Sequence, residues 1–149
     1  MSVSVRLSSN KAIDKVLERL KTQSEDYYKI MIAYAVNEVR NQALLGIQRT
    51  PKTGKTYKRG KRRGKKKTHT ASSAGNPPAI DGGTLVNSIK YEYDMAKDIF
   101  RGEVSAATAY AADLEFGTVK MAARPFMQPA LEKSRTKILN KAKQFRYKK

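Results

Sequence analysis

The chain has 149 residues, 40% of them hydrophobic, which is enough for one buried core; it has no cysteine and a single histidine, His69. Disulfides, thiolate metal sites and cysteine nucleophiles are thereby excluded, and a histidine-built metal site is not expected. The formal charge of +18 is spread unevenly: Lys52–Lys67 holds ten basic residues and no acid, Lys133–Lys149 holds eight and no acid, and the other 116 residues hold thirteen of each sign.

The body is thus electrically neutral, and the basicity belongs to two attachments rather than to the fold. No segment approaches the roughly 20 apolar residues of a membrane span. The opening Met1–Val5 lacks a basic stretch leading into an apolar one, so a protein kept in cytoplasm-like solvent is expected.

Val3, Val5 and Leu7 alternate with polar residues, which predicts a short strand. Ser8, Ser9 and Asn10 offer capping oxygens to a helix carrying Ile13, Val16, Leu17 and Leu20. Ser24 is positioned to cap a second, long helical run through Tyr27, Tyr28, Met31, Tyr34, Ala35, Glu38 and Val39, continuing to Leu44, Leu45 and Ile47. That helix is expected to end near Thr50, because Pro51 disfavours the helical region for the residue before it.

From Pro51 to Pro78 there is no apolar periodicity, and glycines interrupt the basic run. Like charges this dense repel within a Debye length of about 8 Å, so a mobile, extended basic loop over 51–78 is expected. Asp81–Leu85 reads as a turn leading into one or two helical turns through Ser88. Tyr91 and Tyr93, followed by the alternation through Ile99–Ala106, predict a hairpin about Asp94–Asp98. Tyr110–Phe116 reads as a short helix stopped by Gly117. Pro129 fits the first turn of a final basic helix over 128–149, whose apolar seam is expected to run through Leu131, Ser134, Ile138, Ala142 and Phe145.

Sequence marks of catalysis are weak. Gly54-Lys55-Thr56 imitates the end of a phosphate-binding loop, but Arg49 stands where its first glycine is required and no apolar strand precedes it. His69 has no acid or second histidine close by in sequence and is expected to make a polar contact only. Asp113 and Glu115, two apart, point to different sides of a helix. A nuclease would need convergent carboxylates for metal, and the acids here are scattered. No catalytic residue, cofactor or metal is therefore expected. The basic run has two readings: a solvated insertion, or a phosphate-binding surface made by Lys52, Lys55, Lys58, Arg59, Lys61, Arg62, Arg63, Lys65, Lys66 and Lys67. With only Tyr57 to stack on a base, such binding would be electrostatic, salt-dependent and blind to sequence.

Three segments carry a resemblance. The first runs from Gly54-Lys55-Thr56-Tyr57 to His69-Thr70-Ala71 and on through Asn76-Pro77-Pro78-Ala79. The second is Asp81-Gly82-Gly83-Thr84-Leu85-Val86-Asn87-Ser88-Ile89. The third, and the most specific, is Tyr110-Ala111-Ala112-Asp113-Leu114-Glu115-Phe116-Gly117-Thr118 followed by Met121-Ala122-Ala123-Arg124-Pro125-Phe126-Met127-Gln128-Pro129-Ala130-Leu131. Together they resemble the neck or tail-completion (tail-component) proteins of bacteriophages, a family whose relatives include the minor tail protein Z of phage lambda. Gly82 departs from the threonine usual before Gly83, and Asn76 from a common acidic residue before the proline pair.

The elements in chain order predict a single α+β domain spanning 1–149, with a long N-terminal and a C-terminal helix packed on a small, mostly antiparallel sheet, and the resemblance adds how it assembles. The resemblance implies a homo-oligomeric, most simply hexameric, ring in the virion neck, assembled in the host cytoplasm. Its partners would be the head-closure or connector protein, the tail terminator or tail tube protein, and packaged double-stranded DNA, with no membrane. Pro77, Pro78, Gly83, Leu85, Ser88, Tyr110, Glu115, Phe116, Gly117, Thr118, Arg124, Pro125 and Phe126 are its motif residues.

Those residues also have a reading of their own. Gly117 is expected to adopt a left-handed conformation, Pro125 to fix the approach to the last helix, Phe116 to pack on Phe126, and Arg124 to pair with Glu115. Whether they hold the monomer together or meet a neighbouring subunit is open at this level. The competing functional class is a cellular RNA- or DNA-binding protein of ribosomal or nucleoid type, suggested by charge alone.

Overall fold

The computed structural model describes residues 11–62, 65–94 and 101–144. In chain order its elements are helix α1 (Lys11–Arg49), strands β1 (Thr56–Arg62) and β2 (Lys65–Thr70), helix α2 (Thr84–Ser88), strands β3 (Ile89–Asp94) and β4 (Arg101–Ala106), and helices α3 (Ala111–Phe116) and α4 (Met127–Gln144). This is the expected α+β class. The strand expected at Val3–Leu7, its capping residues Ser8–Asn10, the expected turn after Asp94, Arg63 and Phe145 lie outside the described residues.

Helix α1 runs unbroken for 39 residues, about 58 Å at 1.5 Å per residue. The second helix start expected at Ser24 is not found. No glycine or proline interrupts Leu20–Tyr27, and Thr22 Oγ1 donates to the Glu18 carbonyl at 2.9 Å, a bond that keeps a local hydroxyl inside the helix. The C-terminus falls where Pro51 demands, and Thr50 Oγ1 donates to Gly46 O at 2.6 Å over the last turn.

The core forms where the C-terminal half of α1 meets the first residues of β3, α3 and α4. Ala43, Ile47, Leu85, Ile89, Ala111, Phe126 and Ala130 are its buried members. Leu85 is the apolar side chain that short α2 delivers inward, while Ser88 Oγ donates to Leu85 O at 2.7 Å and closes that helix. Gly83, at φ 80°, begins α2 with no side-chain cap, in keeping with a glycine pair in place of a capping threonine. Pro77 lies against α1 beside Gly46, and Pro78 is buried.

Helix α4 returns antiparallel along α1, with Lys137 Nζ 2.7 Å from Glu38 Oε1, Lys141 over the Tyr34 ring at 5.8 Å and Tyr27 OH donating to Ala142 O at 3.4 Å. The lysine hydrogen bond is the main reason the Glu38 carboxyl titrates below its ordinary range. The buried seam of α4 is the expected one at Ser134, Ile138 and Ala142, but it starts at Ala130 and not at Leu131. Ala130 and Ser134 are buried, whereas Leu131 is 55% exposed. Small residues let the two helices approach, and Ser134 Oγ donates to Ala130 O at 2.7 Å, so its hydroxyl is satisfied in the core.

Strands β3 and β4 form the expected antiparallel hairpin, in register from Ile89↔Ala106 to Asp94↔Arg101. It lies on α1: a Cβ on Gly102 would come 2.4 Å from Val36 Cγ1 and 2.9 Å from Ile32 Cγ2. Arg40 Nε donates to Ile89 O at 3.0 Å and its guanidinium sits over Tyr91 at 5.8 Å, fixing the other end of the same contact.

The segment 51–78 corrects the expectation of a structureless basic loop. It carries a second antiparallel ribbon, β1–β2, paired from Thr56↔Thr70 to Arg62↔Lys65 with an irregularity between Lys58 and Lys61, where Gly60 takes φ 45°. Pairing here is a backbone matter, helped by the strand formers Thr56, Tyr57, Thr68 and Thr70. Neither strand packs extensively on any other element, so little imposes an apolar alternation on its sequence.

Candidate functional site

Two features of the described surface stand apart from the core: the corner between α3 and α4, and the β1–β2 ribbon.

The corner starts at Gly117, which stops α3 with φ 78° and ψ 176°. This is a positive-φ conformation open to glycine but not the left-handed helical one expected. A Cβ there would come 2.8 Å from Ala123 N and 2.9 Å from Met121 O, both backbone atoms. Beyond it, Thr118 N donates to Met121 O at 2.8 Å and Met121 N returns to Thr118 O at 3.1 Å, closing a tight turn whose tip is Val119 and Lys120.

The expected Glu115–Arg124 ion pair is not formed. Glu115 instead accepts the backbone N–H groups of Phe126 and Met127 on Oε2, at 2.8 and 3.0 Å, and that of Gln128 on Oε1, at 2.9 Å. These are orphan donors of the α4 N-terminus, where a carboxylate is favoured both as acceptor and by the helix dipole. Arg124, 8% exposed, turns the other way and donates from Nε to Ser72 O at 3.2 Å and from Nη1 to Ala122 O at 3.4 Å. Pro125, with its fixed φ, separates Arg124, which faces the ribbon base, from Phe126, whose N–H meets Glu115 at the start of the helix.

The expected Phe116–Phe126 packing is also absent: Phe126 is 2% exposed and Phe116 is 80% exposed. With Val119 fully exposed and Tyr110 partly so, the corner presents apolar side chains outward. Sequence reasoning missed Val119; its only mark was the turn that Gly117-Thr118 begins.

The ribbon is anchored at its base. Gly54 N donates to Ala71 O at 2.8 Å, Ala71 N to Lys55 O at 3.1 Å, and the Thr56 and Thr70 hydroxyls lie 2.9 Å apart. A Cβ on Gly54 would come 2.2 Å from Ser72 O, so this glycine serves the close passage of two backbones and not a phosphate cradle. His69 Nδ1 lies 3.3 Å from Asp81 Oδ2, a polar contact as expected, from an acid twelve positions along the chain. Because Arg124 holds Ser72 O and Gly75 N donates to Ala123 O at 2.9 Å, the base of the ribbon is tied to the corner.

Of the cationic residues, Lys52 and Lys55 precede β1. Lys58, Arg59, Lys61 and Arg62 belong to β1, and Lys65, Lys66 and Lys67 to β2. Among the described residues no group of three His, Cys, Asp or Glu side chains is arranged to hold a metal, and no helix is long and apolar enough to cross a membrane.

No protein family, curated protein or solved structure matches the chain.

The corner and the ribbon differ in what they offer chemically. The corner can bury apolar area against another surface, with Lys120 as the cation beside Val119 at the turn's tip. The ribbon can supply many cations and little else.

Proposed function

We propose that the chain is a structural subunit of a closed, hexameric ring in the neck of a long-tailed bacteriophage, seated between the head-closure or connector ring and the tail terminator or tail tube. Packaged double-stranded DNA passes through its centre. The protein carries out no reaction and needs no cofactor; it belongs to the virion and, during assembly, to the host cytoplasm.

The observation that carries this proposal is the α3–α4 corner. Gly117, the three N–H bonds to Glu115 and buried Arg124 fix a projection whose outermost side chains, Phe116 and Val119, are apolar and exposed. Exposed apolar anchors on a fixed scaffold are what the centre of a protein–protein contact requires. A cyclic assembly repeats one contact between two different faces, and a body with equal numbers of acids and bases lets copies approach. The corner coincides with the segment that most resembles the phage family.

The ribbon favours a second proposal, a cellular protein that grips RNA or DNA without sequence preference. The two separate on assembly. Native mass measurement of the purified chain, together with imaging of particles carrying a labelled copy, is expected to give a ring at the head–tail joint. Phe116→Ser combined with Val119→Ser is expected to abolish the ring while leaving helix content and thermal unfolding unchanged. A chain that binds nucleic acid as a monomer and is absent from particles contradicts the neck proposal and supports the cellular one.

A further inference from the structure

We infer that the β1–β2 ribbon is a duplex-DNA arm, which lies along a groove as a two-stranded unit and is stabilised in its outer half by phosphates. The neck proposal supplies the DNA, so the inference rests on it for context, but the experiment below uses the free protein and can fail by itself.

Three observations lead to it. First, the register sets Lys61 opposite Lys66 and Arg62 opposite Lys65. Directly opposed positions bring Cβ atoms to about 5 Å, where like charges weaken pairing. No acid occurs between Lys52 and Lys67 to relieve them. Second, an isolated two-stranded ribbon is marginal in water unless a helix or third strand covers it, and neither strand here packs extensively on another element. Thr56–Thr70 and Gly54–Ala71 add bonds at the base, while beyond the irregularity at Lys58–Lys61 the register continues with cation opposite cation. The outer half therefore has a stability deficit that anions would remove.

Third, the dimensions suit a duplex. Strands of seven and six residues extend about 20 Å, alongside roughly twelve phosphates at one charge per ~1.7 Å of duplex axis. A major groove about 12 Å wide admits a two-stranded ribbon. Single-strand binding needs aromatic platforms for successive bases. Tyr57 is the one aromatic residue between Lys52 and Lys67, and Lys55 Nζ already lies 5.9 Å from its ring centroid.

The test is amide hydrogen exchange on the full chain, with and without a short mixed-sequence duplex, paired with binding isotherms over a salt series. Duplex is expected to slow exchange at Arg62, Lys65 and Lys66 and to leave the β3–β4 amides unchanged. Replacing Lys61, Arg62, Lys65 and Lys66 together by serine is expected to reduce the slope of log K against log salt by about 3.6, at roughly 0.9 per lost phosphate contact. Three results would overturn the inference: a single strand of equal phosphate number binding as tightly as the duplex, a slope unchanged in the quadruple variant, or polyglutamate protecting the same amides as well as DNA does. The last would assign the ribbon to an acidic protein. None of these outcomes depends on whether the chain forms a ring.

Discussion

The two β-ribbons of this chain have the same topology and opposite circumstances. β3–β4 lies on α1, with Gly102 pressed against Val36 and Ile32 and Ile89 sealed in the core. β1–β2 is fastened at its base, and the pairs beyond Tyr57↔His69, which are Lys58↔Thr68, Lys61↔Lys66 and Arg62↔Lys65, each carry at least one cation. Contact with α1 and the buried Ile89 hold the first in place, while the second is supported by its own ladder and whatever it meets. One ribbon is part of the domain, and the other is mounted on it through Arg124 and Ser72.

Substitutions can break that contrast. Ile89→Ala, at a site 1% exposed, is expected to lower unfolding free energy by about 2–5 kcal/mol in a urea titration, the range for truncating a buried aliphatic side chain. Gly102→Val should lose about 1–3 kcal/mol by overpacking the α1 contact. Gly60→Ala in the other ribbon, with nothing within 4 Å of the added Cβ but a positive φ, is expected to leave the global midpoint nearly unmoved and to weaken only local pairing.

Acid should separate the regions more gently. The Glu38 carboxyl is held below its ordinary value of 4.5, first by the Lys137 hydrogen bond. Its folded pKa is depressed, so its contribution is present above 4.5 and is lost as pH falls through the lower folded value. The loss should be about 0.2–1 kcal/mol because Lys137 is largely exposed, and Glu38→Gln should flatten that part of the pH–stability curve. Smallest of all, Tyr57→Ala on β1, 45% exposed, should change stability by no more than about 0.5 kcal/mol. A loss comparable to that of Ile89→Ala would make the cationic ribbon part of the core.

The same contrast explains what could be read in the sequence. The end of α1 at Pro51, the short helices α2 and α3, the β3–β4 hairpin and the proline-bearing first turn of α4 all leave local marks, and all were legible. The cationic ribbon left no apolar alternation, since neither of its strands packs extensively on a third element. The choice of Ala130 over Leu131 for the α4 seam was hidden because close approach to α1 selects for small size, which hydrophobicity does not report. At the corner, the motif residues were identifiable but not their wiring. Glu115 and Arg124 are plausible ion-pair partners by charge, yet the unsatisfied N–H groups at the start of α4 claim the carboxylate. Phe116 likewise defeats inference from composition, because apolar residues also occur on surfaces.

The most direct test of the division between domain and arm replaces Thr56–Thr70 with a short glycine–serine turn, keeping Gly54, Ala71 and Ser72, and measures thermal unfolding and duplex binding on the same sample. The account predicts cooperative unfolding within about 3 °C of the intact chain and loss of the salt-sensitive binding. A chain that no longer unfolds cooperatively, or one that still binds the duplex as tightly as before, would contradict it.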